Sequence, residues 1–205
     1  MRNSTEIAKR PRGRPRAFDR DAALSAAGQR FRTHGYAGTS LDDLTDATGV
    51  NRPSLYAAFG DKRALYLAAL ARTEQWLTGS FEGLLRADVP LHEAVARMLR
   101  YSIDIYLSGE TGPSGCIALN TATVEAVTDP EIRAALGRVL ALEDRMVTAI
   151  LAQAGSATPA AHAAIVTGML HSLSIRARAG ESKESMTRLA LDCADVVAGA
   201  PPPPA

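Results

Sequence analysis

Cysteine is scarce in this chain: its 205 residues contain only Cys116 and Cys193, which lie 77 positions apart. Two cysteines at that spacing form neither a disulfide framework nor a metal-ligand cluster. We therefore predict a reduced, cytoplasmic protein with no metal site and no cofactor. No apolar run reaches the ~20 residues that a membrane-spanning helix needs. The basic N-terminus also lacks the apolar segment of a signal peptide, so we expect no membrane partner.

Net charge is small as well, at +1, but the charges are unevenly distributed. Residues 1–63 contain 12 Lys and Arg against seven Asp and Glu, whereas residues 64–205 contain 11 against 15. A basic first third joined to a mildly acidic remainder indicates that only the N-terminal end meets a polyanion such as DNA.

Alternating apolar and polar residues, the pattern of a half-buried strand, are absent throughout, and aromatic residues make up only 5% of the chain. Helical periodicity recurs instead, interrupted by Gly, Pro and Ser at plausible caps. The sequence predicts an all-α protein with about nine helices. Residues 1–17 and 200–205 fall outside that pattern: the first is a basic stretch rich in proline and glycine, and the second is a proline-rich tail.

The basic stretch carries six Lys and Arg against one Glu. Its core, RPRGRPR at residues 10–16, resembles a minor-groove hook, since arginine suits the narrow, electronegative groove of A·T-rich DNA. We predict that this flexible arm contacts DNA through Arg12, Arg14 and Arg16. The alternative is a solvated tail that raises only nonspecific affinity.

Residues 39–62 carry the signature of two short helices joined by a glycine turn. Ser40 and Asp43 have the spacing of a capping box, and Gly49 is placed to end the first helix. Asn51 can cap the second helix, in whose first turn Pro53 costs little. A helix, a glycine turn and a second helix make a helix-turn-helix, whose second helix enters the DNA major groove.

No catalytic constellation is evident. The sequence contains no nucleophile–base pairing, no phosphate-binding loop and no metal-ligand spacing, and its four histidines are scattered. We therefore predict that the protein is not an enzyme.

Residues 31–70, FRTHGYAGTSLDDLTDATGVNRPSLYAAFGDKRALYLAAL, resemble the TetR family of bacterial transcriptional regulators. GCIALN at residues 115–120 is similar to a motif in one branch of that family. The resemblance implies a helix-turn-helix domain at 18–63, and an effector-binding and dimerisation domain at 64–199. It also implies a homodimer that binds a palindromic operator in double-stranded DNA and releases it when a small organic effector binds.

Residues carried over from the family pattern fall in and around the second helix of the motif. The resemblance implies base contacts from Arg52, Pro53 and Ser54, and phosphate contacts from Thr39, Ser40, Tyr56 and Lys62. Three alternatives stay open: Tyr56 as a core residue, Thr39 and Ser40 as helix caps only, and Arg52 as a solvated side chain.

An effector pocket is expected among the fourth to eighth helices. Its candidate lining residues are Trp76, Met98, Tyr101, Ile105, Cys116, Asn120, Met146, Met169 and His171. His171 has a competing place at a dimer interface formed by the last two helices, where small residues permit close approach. The residues predicted on these faces are Ala163, Ala164, Thr167, Leu170, Ser174, Met186, Leu189, Ala190, Cys193 and Val197. The alternative is that an intramolecular core uses the same residues. Cys116 opens a helix, so a lowered thiol pKa would make it an oxidant or electrophile sensor; the alternative is a buried apolar residue. An effector-independent architectural DNA-binding protein is the remaining alternative.

Overall fold

The computed structural model describes residues 18–86, 88–109 and 111–199. The predicted arm at 1–17 and the tail at 200–205 lie outside these residues. Every regular element in the described part is helical, which confirms the all-α prediction. In chain order the elements are α1 (Arg20–His34), α2 (Leu41–Thr48), α3 (Arg52–Phe59), α4 (Lys62–Leu85), α5 (Leu91–Leu107), a π-helical turn (Ala118–Ala122), α6 (Thr123–Glu125), α7 (Pro130–Gln153), α8 (Pro159–Arg178) and α9 (Lys183–Ala198).

Local capping chemistry sets the boundaries of α2 and α3 as the sequence predicts. The Ser40 hydroxyl accepts from the Asp43 amide at 3.1 Å, and the Asp43 carboxylate accepts from the Ser40 amide at 2.7 Å. Gly49 ends α2 with a φ of 65°, in the left-handed region that L-residues avoid. The Asn51 side chain then accepts from the Ser54 amide at 3.0 Å and starts α3.

The first three helices share one apolar core with the start of α4. Phe31, Leu44, Leu55 and Leu65 are all buried there. The Phe31 ring meets the ring of Tyr66 edge to face, with centroids 5.0 Å apart. Burying each of these side chains stabilises the unit by about 1.5–3 kcal/mol, so the helix-turn-helix folds only together with α1 and α4.

Helix α4 runs without a break from Lys62 to Leu85, so the predicted domain boundary at 63/64 lies inside a helix. Its first turns are also tied to the C-terminal part of the chain. Arg63 forms an ion pair with Asp129, with Nε and Oδ2 2.5 Å apart, and the Tyr66 hydroxyl lies 2.5 Å from the Thr121 hydroxyl. The predicted DNA-reading unit, α1–α3 with the helix-turn-helix, is therefore coupled to the helices that follow.

The Arg63–Asp129 pair predicts a pH-dependent stability. Hydrogen bonding to the Arg63 guanidinium holds the pKa of Asp129 well below its ordinary value. Because the folded-state pKa is the lower one, the pair stabilises the fold above about pH 4 and this contribution is lost as the pH falls. Asp129→Asn keeps the side-chain oxygen that caps α7 but removes the charge. We expect a lower Tm than wild type at neutral pH, and a difference that shrinks as the solution is acidified.

Asp61→Asn is the matched control, because Asp61 caps α4 and has no ion pair among the described residues. Its Tm difference from wild type should not shrink in the same way. A pH-independent difference for Asp129→Asn, measured by circular dichroism melts, would contradict the assignment.

The small-residue faces of α8 and α9 differ from the expectation. Most residues predicted at the dimer interface are buried inside the single chain, where α5 packs against both helices. The buried ones are Ala163, Thr167, Leu170, Ser174, Met186, Ala190, Cys193 and Val197. The alternative, an intramolecular core, describes these residues, because they are buried within a chain in which α5 packs against both helices.

The segment predicted as a regular helix from residue 116 begins as the π-helical turn and continues as the three-residue α6. Close packing before it explains the irregularity. Gly115 has a φ of 63°, and a Cβ there would lie 2.8 Å from the Ser174 carbonyl oxygen. The Ser174 hydroxyl also accepts from the Cys116 amide at 2.9 Å. The residues that precede the π-helical turn are thus held against α8.

Candidate DNA-binding surface and effector cavity

The N-terminal half of α3 forms an exposed surface. Arg52 and Pro53 are exposed, and Tyr56 is 43% exposed, so Tyr56 is not a core residue. The Arg52 side chain is half exposed, and one of its terminal nitrogens lies 2.6 Å from the carboxylate of Asp42 on α2. Exposed ion pairs are worth only about 0–1 kcal/mol. Arg52 is therefore neither buried nor firmly held, and a base edge or phosphate can compete for it.

Residues flanking α3 differ in what they can offer to DNA. Ser40 is exposed and caps α2. Thr39 is fully buried, and its hydroxyl donates to the Gly35 carbonyl at 2.7 Å, a position that favours the structural alternative for this residue. The Lys62 ammonium lies 4.4 Å from the ring centroid of Tyr36, which holds it beside the start of α4. Arg12, Arg14 and Arg16 lie outside the described residues.

A cavity of about 660 Å³ lies between α1, α4, α5, the start of the π-helical segment and α7. Five of the nine predicted pocket residues line it: Trp76, Met98, Tyr101, Ile105 and Cys116. The rings of Trp76 and Tyr101 stack with centroids 6.3 Å apart, and both rings are nearly half exposed. This volume is in the range of small-molecule sites.

The other four predicted pocket residues are not among those that line the cavity. The Asn120 amide donates to the Ser174 hydroxyl at 3.1 Å and to the Ser114 carbonyl at 3.3 Å. Met146 and Met169 pack partly buried against the core. His171 lies 2.9 Å from Glu143, and it is the buried Glu143 carboxylate, not His171, that lines the cavity.

Sequence reasoning missed the contribution of α1. This helix belongs to the DNA-reading unit, yet it supplies five lining residues: Leu24, Ser25, Gly28, Gln29 and Arg32. The helical periodicity of α1 does not reveal that one face of this helix lies across a cavity from α4 and α5. A ligand in this cavity therefore touches the DNA-reading unit directly.

Arg32 joins the two parts of the chain. Its Nε donates to the Ser114 hydroxyl at 2.5 Å, and one Nη donates to the Ile105 carbonyl at 2.8 Å and to Ser108. In return, Arg178 at the end of α8 donates to the Arg32 carbonyl at 3.0 Å. Burial lowers the pKa of Arg32. A partly desolvated guanidinium on the cavity wall thus connects α1 to the C-terminal end of α5.

Cys116 occupies the cavity wall as a buried thiol. Burial, reinforced by the carboxylate of Glu143, raises its pKa to about 11. Cys193 is also buried, and burial raises its pKa as well. Both thiol pKa values are raised, so both thiols stay protonated at neutral pH. This opposes the sensor alternative, which needs a thiolate.

We accordingly predict slow reaction of both thiols with a disulfide reagent in the native protein at neutral pH, because each is protonated and covered. Unfolding in urea should make both react quickly. The reaction is followed by the absorbance of the thiolate that the reagent releases. Rapid labelling of one thiol in the native protein, absent in Cys116→Ser, would restore the sensor alternative.

Two family models together match most of the chain. The model described as "Bacterial regulatory proteins, tetR family" matches residues 23–69, and "Tetracyclin repressor-like, C-terminal domain" matches residues 90–199. The chain belongs to the TetR family. This confirms the family predicted from residues 31–70 and makes the protein a TetR-family transcriptional regulator with a helix-turn-helix DNA-binding domain.

Individual TetR-family relatives match from about half of the chain to almost all of it. The HTH-type transcriptional repressor ComR of Escherichia coli K12 is 34% identical over 196 residues, which cover 92% of this chain and 93% of ComR. The repressor BdcR of the same strain is 36% identical over 115 residues, covering 56% and 58% of the two chains. A cysteine variant of the regulator CifR, solved with a 26-base-pair operator DNA, superimposes with a TM-score of 0.76 at 30% identity; the match covers 90% of this chain and all of that one.

The described residues contain no group of three or more His, Cys, Asp or Glu placed to hold a metal ion. None of their helices is long and apolar enough to cross a membrane.

Proposed function

We propose that this protein is a cytoplasmic, non-enzymatic repressor that binds a palindromic operator in double-stranded DNA as a homodimer and releases it when a small organic effector occupies the cavity. The observation that carries the proposal is the composition of the cavity wall. α1 from the DNA-reading unit and α4, α5 and α7 from the C-terminal part share it. An effector can shift the two parts only if it binds one arrangement better than another, and a shared wall supplies that difference.

Operator contacts are proposed for the exposed part of α3 and its flanks. Arg52 suits the O6 and N7 atoms of guanine, and Pro53 and Ser54 lie beside it in the first turn. Phosphate contacts are proposed for Tyr56, Ser40 and Lys62. Arg12, Arg14 and Arg16 remain proposed minor-groove contacts. ComR and BdcR are named as repressors, and the CifR variant was solved on operator DNA, which supports both repression and DNA binding here.

The homodimer is proposed to form through the outer faces of α8 and α9. Ile165 and Ile175 on α8 are 46% and 61% exposed, and Val196 on α9 is 70% exposed. Three large aliphatic side chains exposed on neighbouring helices favour a protein interface. Gly168 lies between the two isoleucines without a Cβ neighbour in the chain, so another helix can approach there closely.

The experiment is a DNA-binding titration on the DNA that flanks this protein's own coding region. We expect salt-dependent binding that is much tighter than binding to random DNA of equal length, and release on addition of a compound that raises the Tm of the DNA-free protein. Equal affinity for both DNAs would contradict the function. Undiminished DNA binding with every stabilising compound would contradict only the effector.

The two alternatives are less well supported. An architectural protein without an effector has no use for a cavity of about 660 Å³. A sensor acting through Cys116 would have to activate a thiol that burial keeps protonated.

A further inference from the structure

The charged residues of the cavity differ in how well they are neutralised. Arg32, Arg72 and Glu143 are its three charged lining residues. The Glu143 carboxylate hydrogen-bonds to His171 at 2.9 Å. Neither arginine forms an ion pair with any carboxylate of the described residues. Arg72 is exposed, so water solvates its charge. The cavity therefore offers more positive than negative charge to a ligand.

Arg32 is the arginine whose charge is least well compensated. Its four hydrogen bonds, made by Nε and one Nη, all go to neutral carbonyl or hydroxyl oxygens. Its other terminal nitrogen, Nη1, has no hydrogen-bond partner among the described residues and is not fully buried. The donors of that nitrogen are therefore available to a ligand. A partly buried cation gains most from an anion that reaches it away from bulk water.

The remainder of the wall is suited to an apolar body. The stacked rings of Trp76 and Tyr101 face the cavity together with Phe81, Met98 and Ile105. Gln29, one helical turn before Arg32, is a polar exception: its side-chain oxygen is buried without a partner among the described residues and accepts hydrogen bonds, so it suits a donor on the ligand and not the anionic head. The polar groups of α1 and the apolar groups of α4 and α5 thus contribute to the same cavity.

We propose that the cavity binds an organic carboxylate, whose anionic head accepts hydrogen bonds from Nη1 of Arg32 and whose aryl or alkyl body lies against Trp76 and Tyr101. The assignment rests on the effector role proposed above and names its chemical class. It also gives the effector a mechanical consequence. A carboxylate on Nη1 of Arg32 binds the same guanidinium whose other nitrogens donate to Ile105, Ser108 and Ser114, so the effector acts at the attachment of α1 to α5.

Trp76 permits a direct test, because it is the only tryptophan in the chain. Its fluorescence in the native full-length protein is titrated with three probes that share one body and differ in the head: 4-phenylbutyrate, 4-phenyl-1-butanol and 4-phenylbutylamine. We expect the carboxylate to bind about 10- to 100-fold more tightly than the alcohol, the range for a hydrogen bond to a charged group. The amine should bind most weakly. Equal or tighter binding of the alcohol, or no quenching by millimolar carboxylate, overturns the proposal.

Two variants locate the head group. Arg32→Gln should abolish the preference for the carboxylate over the alcohol, whereas Arg72→Gln, the matched control, should keep most of it. If Arg32→Gln does not fold, Arg32→Lys retains the charge without the planar guanidinium and should show a reduced preference. An unchanged preference in a folded Arg32 variant contradicts the assignment.

No step of this test uses DNA, so failure of the carboxylate assignment can be distinguished from failure of the proposed repressor function. A protein that discriminates the probes but ignores its flanking DNA has the ligand site without the repressor role. One that binds its DNA specifically but prefers the alcohol keeps the repressor role and refutes the carboxylate.

Discussion

The double variant Ile165→Glu/Ile175→Glu is expected to be a folded monomer that has lost most of its affinity for operator DNA. Both side chains are exposed on α8, at 46% and 61%, so glutamate replaces them without entering the core. In a dimer the four introduced carboxylates would be buried against one another without partners, which costs several kcal/mol. Light scattering should report a halved mass, and circular dichroism an unchanged helix content.

Loss of the dimer should reduce DNA affinity more than any single contact does. In a dimer, binding of one subunit to its half-site makes binding of the second subunit intramolecular, which raises the affinity by about 10²–10⁴. A monomer keeps the intact α3 of one subunit but loses that factor.

Val124→Glu is the matched control. Val124 is 69% exposed on α6, so it belongs to neither α8 nor α9, and the substitution adds the same charge. It should remain dimeric and bind DNA as wild type does. A dimeric double variant with full DNA affinity would show that the copies meet through another surface.

The buried residues of α8 explain why the interface could be predicted only as a pair of helices. Ala163, Thr167 and Ser174 suit close helix approach in either setting, within one chain or between two. The three-dimensional packing decides between these two settings: α5 packs against α8 and α9, and their small-residue faces become part of the core of one chain. Ile165 and Ile175 are left on the outside, and their spacing alone does not distinguish them from core residues.

The helix-turn-helix, by contrast, could be predicted almost to the residue. Ser40, Gly49 and Asn51 act on their own backbone neighbours, so their consequences are visible in the sequence. The cavity depends on contacts across long stretches of chain. Arg32 and Ser114 are 82 positions apart, and no local periodicity signals that they meet. Asn120 shows the same limit: its polarity suggested a pocket, but Ser174 satisfies its amide instead.

Arg52→Ala is expected to weaken operator binding by ~1–3 kcal/mol, which corresponds to about a 5- to 150-fold rise in Kd, and to relax base preference at one position of each half-site. Arg52 is the only arginine or lysine on α3, so no neighbouring side chain of that helix can replace its contact. Fluorescence anisotropy on the operator and on variants with each base pair changed provides the measurement. A uniform loss across all sequences would assign Arg52 to a phosphate instead.

Asp42 gives this prediction its control, because its carboxylate forms an exposed ion pair with Arg52 in the DNA-free protein. The Asp42 and Arg52 side chains are 76% and 50% exposed, so their ion pair is worth at most ~1 kcal/mol, less than a bidentate guanine contact. Asp42→Asn should therefore not weaken operator binding, and removing a negative charge from the surface proposed to face DNA should strengthen binding to random DNA. If Arg52→Ala weakens operator binding and Asp42→Asn does not, Arg52 leaves the Asp42 carboxylate for a base when the protein binds its operator. If Asp42→Asn weakened operator binding as much as Arg52→Ala, the pair would instead be needed to position α3 against α2.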